Sequence, residues 1–163
     1  MIRQFLILAA LLASTAAQAQ TAQWRAYHNT RFGVTADYPA GWTMGPEPEN
    51  NDGRVFTSPD GQARVTIYGH FVLDGRDAEL AESEKGRAGE AVTYRLRKGH
   101  WIALSGTRGG AIFYRKALIS CHDTVSNNVE IEYPAAEKEK YDALVAHVAA
   151  SLRPGPGYQN DCK

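Results

Sequence analysis

The chain has 163 residues, of which 18 are basic and 18 acidic, so its formal charge is zero, and 44% of its residues are hydrophobic. That length suits one domain with one core. The charge balance excludes nucleic acid as the principal ligand, because a chain built to track phosphates carries a clear basic excess.

The N-terminus has the form of a signal peptide. Arg3 supplies a positive charge, Phe5 to Ala13 form an apolar run, and Ala17-Gln18-Ala19 place small residues where a signal peptidase cuts. Residues 1 to 19 are therefore expected to be removed, leaving 17 bases against 18 acids. The apolar run is shorter than the roughly 20 residues that span a bilayer, and no later stretch is both long and uncharged. A lipid anchor needs a cysteine at the new N-terminus, but the first cysteine is Cys121. The expected compartment is the periplasm, with the external medium second. Residues 20 to 153 are expected to form one α+β domain, and residues 154 to 163 a polar tail.

In chain order, Trp24 to His28 and Val34 to Tyr38 read as two short strands joined through Gly33. Trp42 follows as an apolar body expected to pack on the sheet edge or under a helix. Gly45 to Gly53 contains two prolines and little to bury, so it reads as an exposed loop. Its Glu47, Glu49, Asn51 and Asp52 resemble calcium ligands in type but not in register, so no metal site is assigned. Arg54 to Ser58 and Ala63 to Gly69 flank Pro59-Asp60-Gly61-Gln62, a hairpin signal. Asp77 to Glu90 has helical composition, with Asp77 a candidate cap and Gly86 and Gly89 weakening the end.

The segment Ala91 to Ser120 reads as a three-stranded meander at the centre of one sheet. Val92, Tyr94 and Leu96 alternate with Thr93, Arg95 and Arg97, and breaks at Lys98-Gly99-His100 and Gly106 to Gly110 fold the chain back twice. Asn128 to Tyr133 forms a further strand. Pro134 suits the first turn of a last helix, on which Tyr141, Leu144, Val145, Val148 and Leu152 form one apolar stripe. Arg153-Pro154-Gly155-Pro156-Gly157 stops that helix. Mostly antiparallel sheet with flanking helices, an α+β sandwich, is the economical architecture.

Cys121 and Cys162 are the two cysteines, and in an exported chain they are expected to form a structural disulfide in preference to a catalytic thiol. No catalytic residue is assigned. The five histidines are widely spaced and lack metal-ligand spacing. Ser105-Gly106 lacks the glycine that a nucleophile elbow places before its serine, and the glycine turn at 106 to 110 lacks the lysine and helix start of a phosphate loop. No cofactor is implied.

One asymmetry stands out. Ala91 to His122 carries Arg95, Arg97, Lys98, Arg108, Arg115 and Lys116 and no acid, while Asp74 to Glu90 carries six acids against three bases and Asp123 to Asp142 six against two. Two readings follow. Either the acidic flanks lie over the basic strands and neutralise them, or Arg95, Arg97, Lys98 and Arg108 form a surface for an anionic envelope component or an acidic protein partner.

The segments Phe32-Gly33-Val34-Thr35-Ala36-Asp37-Tyr38-Pro39-Ala40-Gly41-Trp42 and Phe56-Thr57-Ser58-Pro59-Asp60-Gly61 resemble the start of proteins with the Mog1/PsbP-like α/β/α sandwich. The likeness continues through Trp101 to Gly106, Phe113-Tyr114-Arg115, Glu132-Tyr133-Pro134 and the closing helix. It implies a binding or accessory role without catalysis, and it carries over no functional residue. The competing expectation is a small periplasmic hydrolase-like enzyme whose site has no recognisable motif.

Overall fold

A computed structural model describes residues 23–159 and residue 162. The expected leader, residues 1 to 19, lies outside the described residues. Strands β1 (Trp24–His28) and β2 (Val34–Pro39) pair antiparallel, and the two-residue β10 (Arg153–Pro154) joins β2 on its other side. The remaining strands are β3 (Thr43–Met44), β4 (Gly53–Thr57), β5 (Arg64–Phe71), β6 (Ala91–Lys98), β7 (Trp101–Arg108), β8 (Ala111–Ser120) and β9 (Val125–Pro134). They form a seven-stranded antiparallel sheet in the order β3-β4-β5-β9-β8-β7-β6.

Helix α2 (Lys138–Ser151) and the β1-β2-β10 sheet cover one face of the large sheet. Val34, Tyr38, Phe56, Ile67, Ile131 and Val148 meet there in the main core. The expected helical stripe is the contact: Tyr141 and Val148 are buried, Leu144 and Val145 pack half-buried, and Leu152 ends the helix. Helix α1 (Arg76–Ser83) lies on the opposite face and inserts Leu80, fully buried, among Ile102, Ala117 and Ile119. Burying that one side chain contributes roughly 1.5–3 kcal/mol.

Three details differ from the sequence reading. The meander is not the sheet centre; β9 is, and β6 is the outer strand. The cause is the long-range pairing of β5 with β9, which places half the sheet beyond the meander. Helix α1 stops at Ser83 instead of reaching Glu90, because no large apolar residue between Leu80 and Glu90 holds another turn to the sheet and Gly86 and Gly89 disfavour helix. Its entry is Gly75 at φ 84, with no side-chain cap, and Asp77 sits inside the first turn.

The alternation in β6 is also broken by a register shift between Val92 and Tyr94. Gly106 on β7 lies against this point, where any Cβ would come within 2.8 Å of Val92 Cα. Cys121 and Cys162 are bonded, with Cα atoms 5.2 Å apart, and they pack with Phe32, Val125 and Tyr158.

Candidate functional site

The basic residues of the meander divide into two groups by position. Arg97 and Lys98 end β6 beside the Gly99-His100 turn, whereas Arg108 ends β7 beside the Gly109-Gly110 turn. Arg97 pairs in register with Ile102, six residues before Arg108. At the rise of an antiparallel strand this separates them by about 20 Å, so the four residues do not converge on one small ligand.

Each arginine has a local partner. Arg97 donates to Asp77 at 2.8 Å, Arg95 donates through Nε to the Glu84 carbonyl at 3.3 Å, and Arg108 donates to Glu132 at 3.0 Å. Among the described residues Lys98 pairs with no carboxylate. The flanking acids thus lie over the α1 face of the strands, and they neutralise Arg108 more fully than the cations of β6.

An ion-pair ladder crosses that face, with members that motif reading missed. Arg64 and Arg108 both bond Glu132, Arg108 also lies 3.7 Å from Glu90, and Arg115 grips Glu90 through two hydrogen bonds of 2.7 and 3.1 Å. Arg87 bonds Glu130 at 2.7 Å. The Glu90 side chain is 0% exposed and that of Arg115 12%. Burial pushes the Glu90 carboxyl up, but the Arg87 backbone N–H and the Arg115 guanidinium outweigh it and hold the group below its ordinary range. Glu132 is lowered in the same way by Arg108 and Arg64 against burial. The available signal was the Glu130-Ile131-Glu132 alternation, which puts both carboxylates on one face of β9.

Beneath the 83–87 segment is a cavity of 380 Å³, bounded by Tyr68, Arg87, Leu104, Arg115 and Asn128. Burial raises the Tyr68 phenol. Of the cations around it, Arg87 and Arg115 are committed to Glu130 and Glu90, Lys85 pairs with Glu82, and Lys116 donates to the Ala149 carbonyl of α2.

The groups a hydrolase would use are elsewhere and engaged. Ser105 donates to the Phe113 carbonyl at 2.7 Å. Asp37, His147 and Ser151 do meet, with imidazole Nε2 3.0 Å from the carboxylate. However, the Ser151 hydroxyl donates to the Val148 carbonyl and accepts from the Asp37 backbone N–H, each at 2.8 Å. That geometry locks the join between α2 and β2. No group of three or more metal-ligating side chains occurs among the described residues.

A second concavity of 420 Å³ has aromatic walls, Trp24, Trp42 and Tyr141, with Asp60 and Lys140 at its rim. Trp42 packs half-buried against the main core cluster. Two hydrogen bonds, from the Ser58 hydroxyl and the Gln62 backbone N–H, hold the Asp60 carboxyl down at about 2. No helix among the described residues is long and apolar enough to cross a membrane.

No protein-family model and no curated protein matches the chain. Solved structures do. Cyanobacterial PsbP (CyanoP) from Synechocystis sp. superposes with a TM-score of 0.56 over 87% of this chain and 98% of its own, at 10% identity. The Ran-binding protein Mog1p of Saccharomyces cerevisiae gives 0.54 over 82% and 96%, at 7% identity. LpqN of Mycobacterium tuberculosis, involved in cell envelope biogenesis, gives 0.52 over 82% and 91%, at 15% identity. The chain has the Mog1/PsbP-like fold.

Proposed function

We propose that this chain is an exported, periplasmic binding protein without chemistry of its own, and that the basic side chains of β6 recognise an acidic partner protein. One observation carries the reading. β6 is the outer strand of the sheet, exposed along nearly all its length, and it holds Arg95, Arg97 and Lys98 with no acid between them. Arg108 serves the internal ladder and lies outside this surface.

The similar structures favour a binding role, because Mog1p binds Ran and LpqN takes part in cell envelope biogenesis. Export is supported by the leader pattern in residues 1 to 19 and by a paired Cys121 and Cys162, which an oxidising compartment preserves.

The test is cross-linking capture from a periplasmic extract, comparing the unaltered protein with an Arg95→Glu, Arg97→Gln, Lys98→Glu variant. These side chains are at the surface, so the variant is expected to fold with stability changed by no more than about 1 kcal/mol. A partner captured by the unaltered protein alone, with binding that weakens as salt rises, is the expected result. Equal capture by both proteins refutes the assignment of the surface.

A further inference from the structure

We propose that β6 receives its partner as an eighth strand: an extended segment in which acidic and apolar residues alternate, paired along the backbone edge of residues 91–98. This rests on the acidic-partner reading above and adds to it the mode of binding and the pattern of the bound segment.

The argument begins with the edge. Among the described residues β6 pairs with β7 alone, so every second residue turns its N–H and C=O outward with no described strand to meet them. The opposite edge of the sheet is β3, only two residues long, whereas β6 offers eight residues and contains no proline. Long open edges are templates for strand addition, in which backbone pairing supplies affinity and alternate side chains supply specificity.

The two faces of β6 specify the guest. Toward α1 it presents Arg95 and Arg97, whose register partners Leu104 and Ile102 belong to that face. Among the described residues Arg95 has only a carbonyl acceptor there, while Arg97 pairs with Asp77. Toward the other face it presents Tyr94 and Leu96, 45% and 43% exposed, with Lys98 at the end of the row opposite half-buried Trp101 on β7. A strand laid along this edge therefore meets guanidinium groups on one side and an apolar shelf on the other. Carboxylates at alternate positions match the first, and branched apolar side chains between them match the second.

A second copy of the chain fits poorly. An antiparallel copy centred on Arg95, Leu96 or Arg97 sets arginine opposite arginine, and directly opposed like charges disfavour pairing. Arg95, Arg97 and Lys98 thus guard the edge against self-association while leaving it open to an acidic strand.

The experiment uses the purified protein and a capped, fluorescently labelled octapeptide of alternating glutamate and valine, read by anisotropy and by amide hydrogen exchange. In an extended strand all glutamate N–H groups point to one edge and all valine N–H groups to the other. Two N-methylated versions, one per set, therefore each block a single edge. The expected results are saturable binding, slowed exchange within residues 91–98, and loss of binding for one methylated peptide but not the other. Arg95→Glu with Arg97→Gln, which removes both guanidinium groups of the α1 face, is expected to weaken binding about tenfold or more.

Equal binding of both methylated peptides, with exchange in β6 unchanged, overturns strand addition while leaving an acidic partner bound through side chains. Equal binding of a lysine-valine octapeptide overturns both readings. No binding up to the peptide's solubility limit overturns strand addition, and the capture experiment still judges the partner reading separately. A dimer in sedimentation that protects residues 91–98 gives the edge to a second copy and refutes the proposal.

Discussion

Glu90→Gln is the sharpest perturbation of the ladder. The carboxylate has no exposed side-chain surface and accepts two hydrogen bonds from Arg115 and one, at 2.8 Å, from the Arg87 backbone N–H. Glutamine keeps the volume but turns an NH2 group toward a guanidinium and leaves the 12%-exposed Arg115 without its counter-charge. Removing one partner of a buried pair costs about 3–5 kcal/mol. Glu90 sits in the 84–90 segment at the margin of the sheet, not in the main core, so the expected loss falls at or just below the bottom of that range, about 2–3 kcal/mol. Thermal unfolding should fall by roughly 6–12 °C for a domain of this size.

The pH dependence gives an independent check. The folded-state pKa of Glu90 lies below its ordinary 4.5, so the pair's contribution is complete above that value and is lost as pH falls through the lower folded-state value. Urea unfolding of both proteins at neutral and acidic pH measures the gap, which should be wide at neutral pH and narrow in acid. Adding Arg115→Met to the variant should recover part of the loss by removing the stranded cation. A gap under about 0.5 kcal/mol at neutral pH, or one independent of pH, refutes the argument.

Replacing both Cys121 and Cys162 by serine frees a loop with a sequence separation of 41 and should lower stability by up to about 4 kcal/mol. An unchanged urea midpoint contradicts that. A proton titration of Asp60 followed by NMR should give a pKa of about 2, and Ser58→Ala should raise it toward 3.8 by deleting the leading hydrogen bond. A value near 3.8 in the unaltered protein means that the Ser58 contact does not form in solution.

Local chemistry made most elements legible. Gly33, Gly61, Gly99, Gly109 and Gly110 all adopt positive φ at the turns their positions suggested, because L side chains rarely tolerate that conformation. Period-2 alternation marked the strands, and the 3.6-residue stripe from Tyr141 to Leu152 marked α2. These signals arise from neighbours in the chain, so one sequence suffices to read them. The cysteine pair was legible because two residues allow one pairing.

Tertiary structure alone decided what depends on distant pairing. The register of β5 with β9 moved the meander from centre to edge, which left β6 as the exposed outer strand. The same packing brought Glu90, Glu130 and Glu132 to Arg115, Arg87 and Arg108, settling which basic charges are spent internally. Charge counts show that acids flank a basic segment, but Coulomb energy depends on separations of a few ångströms. Those separations exist only once strands far apart in sequence lie side by side.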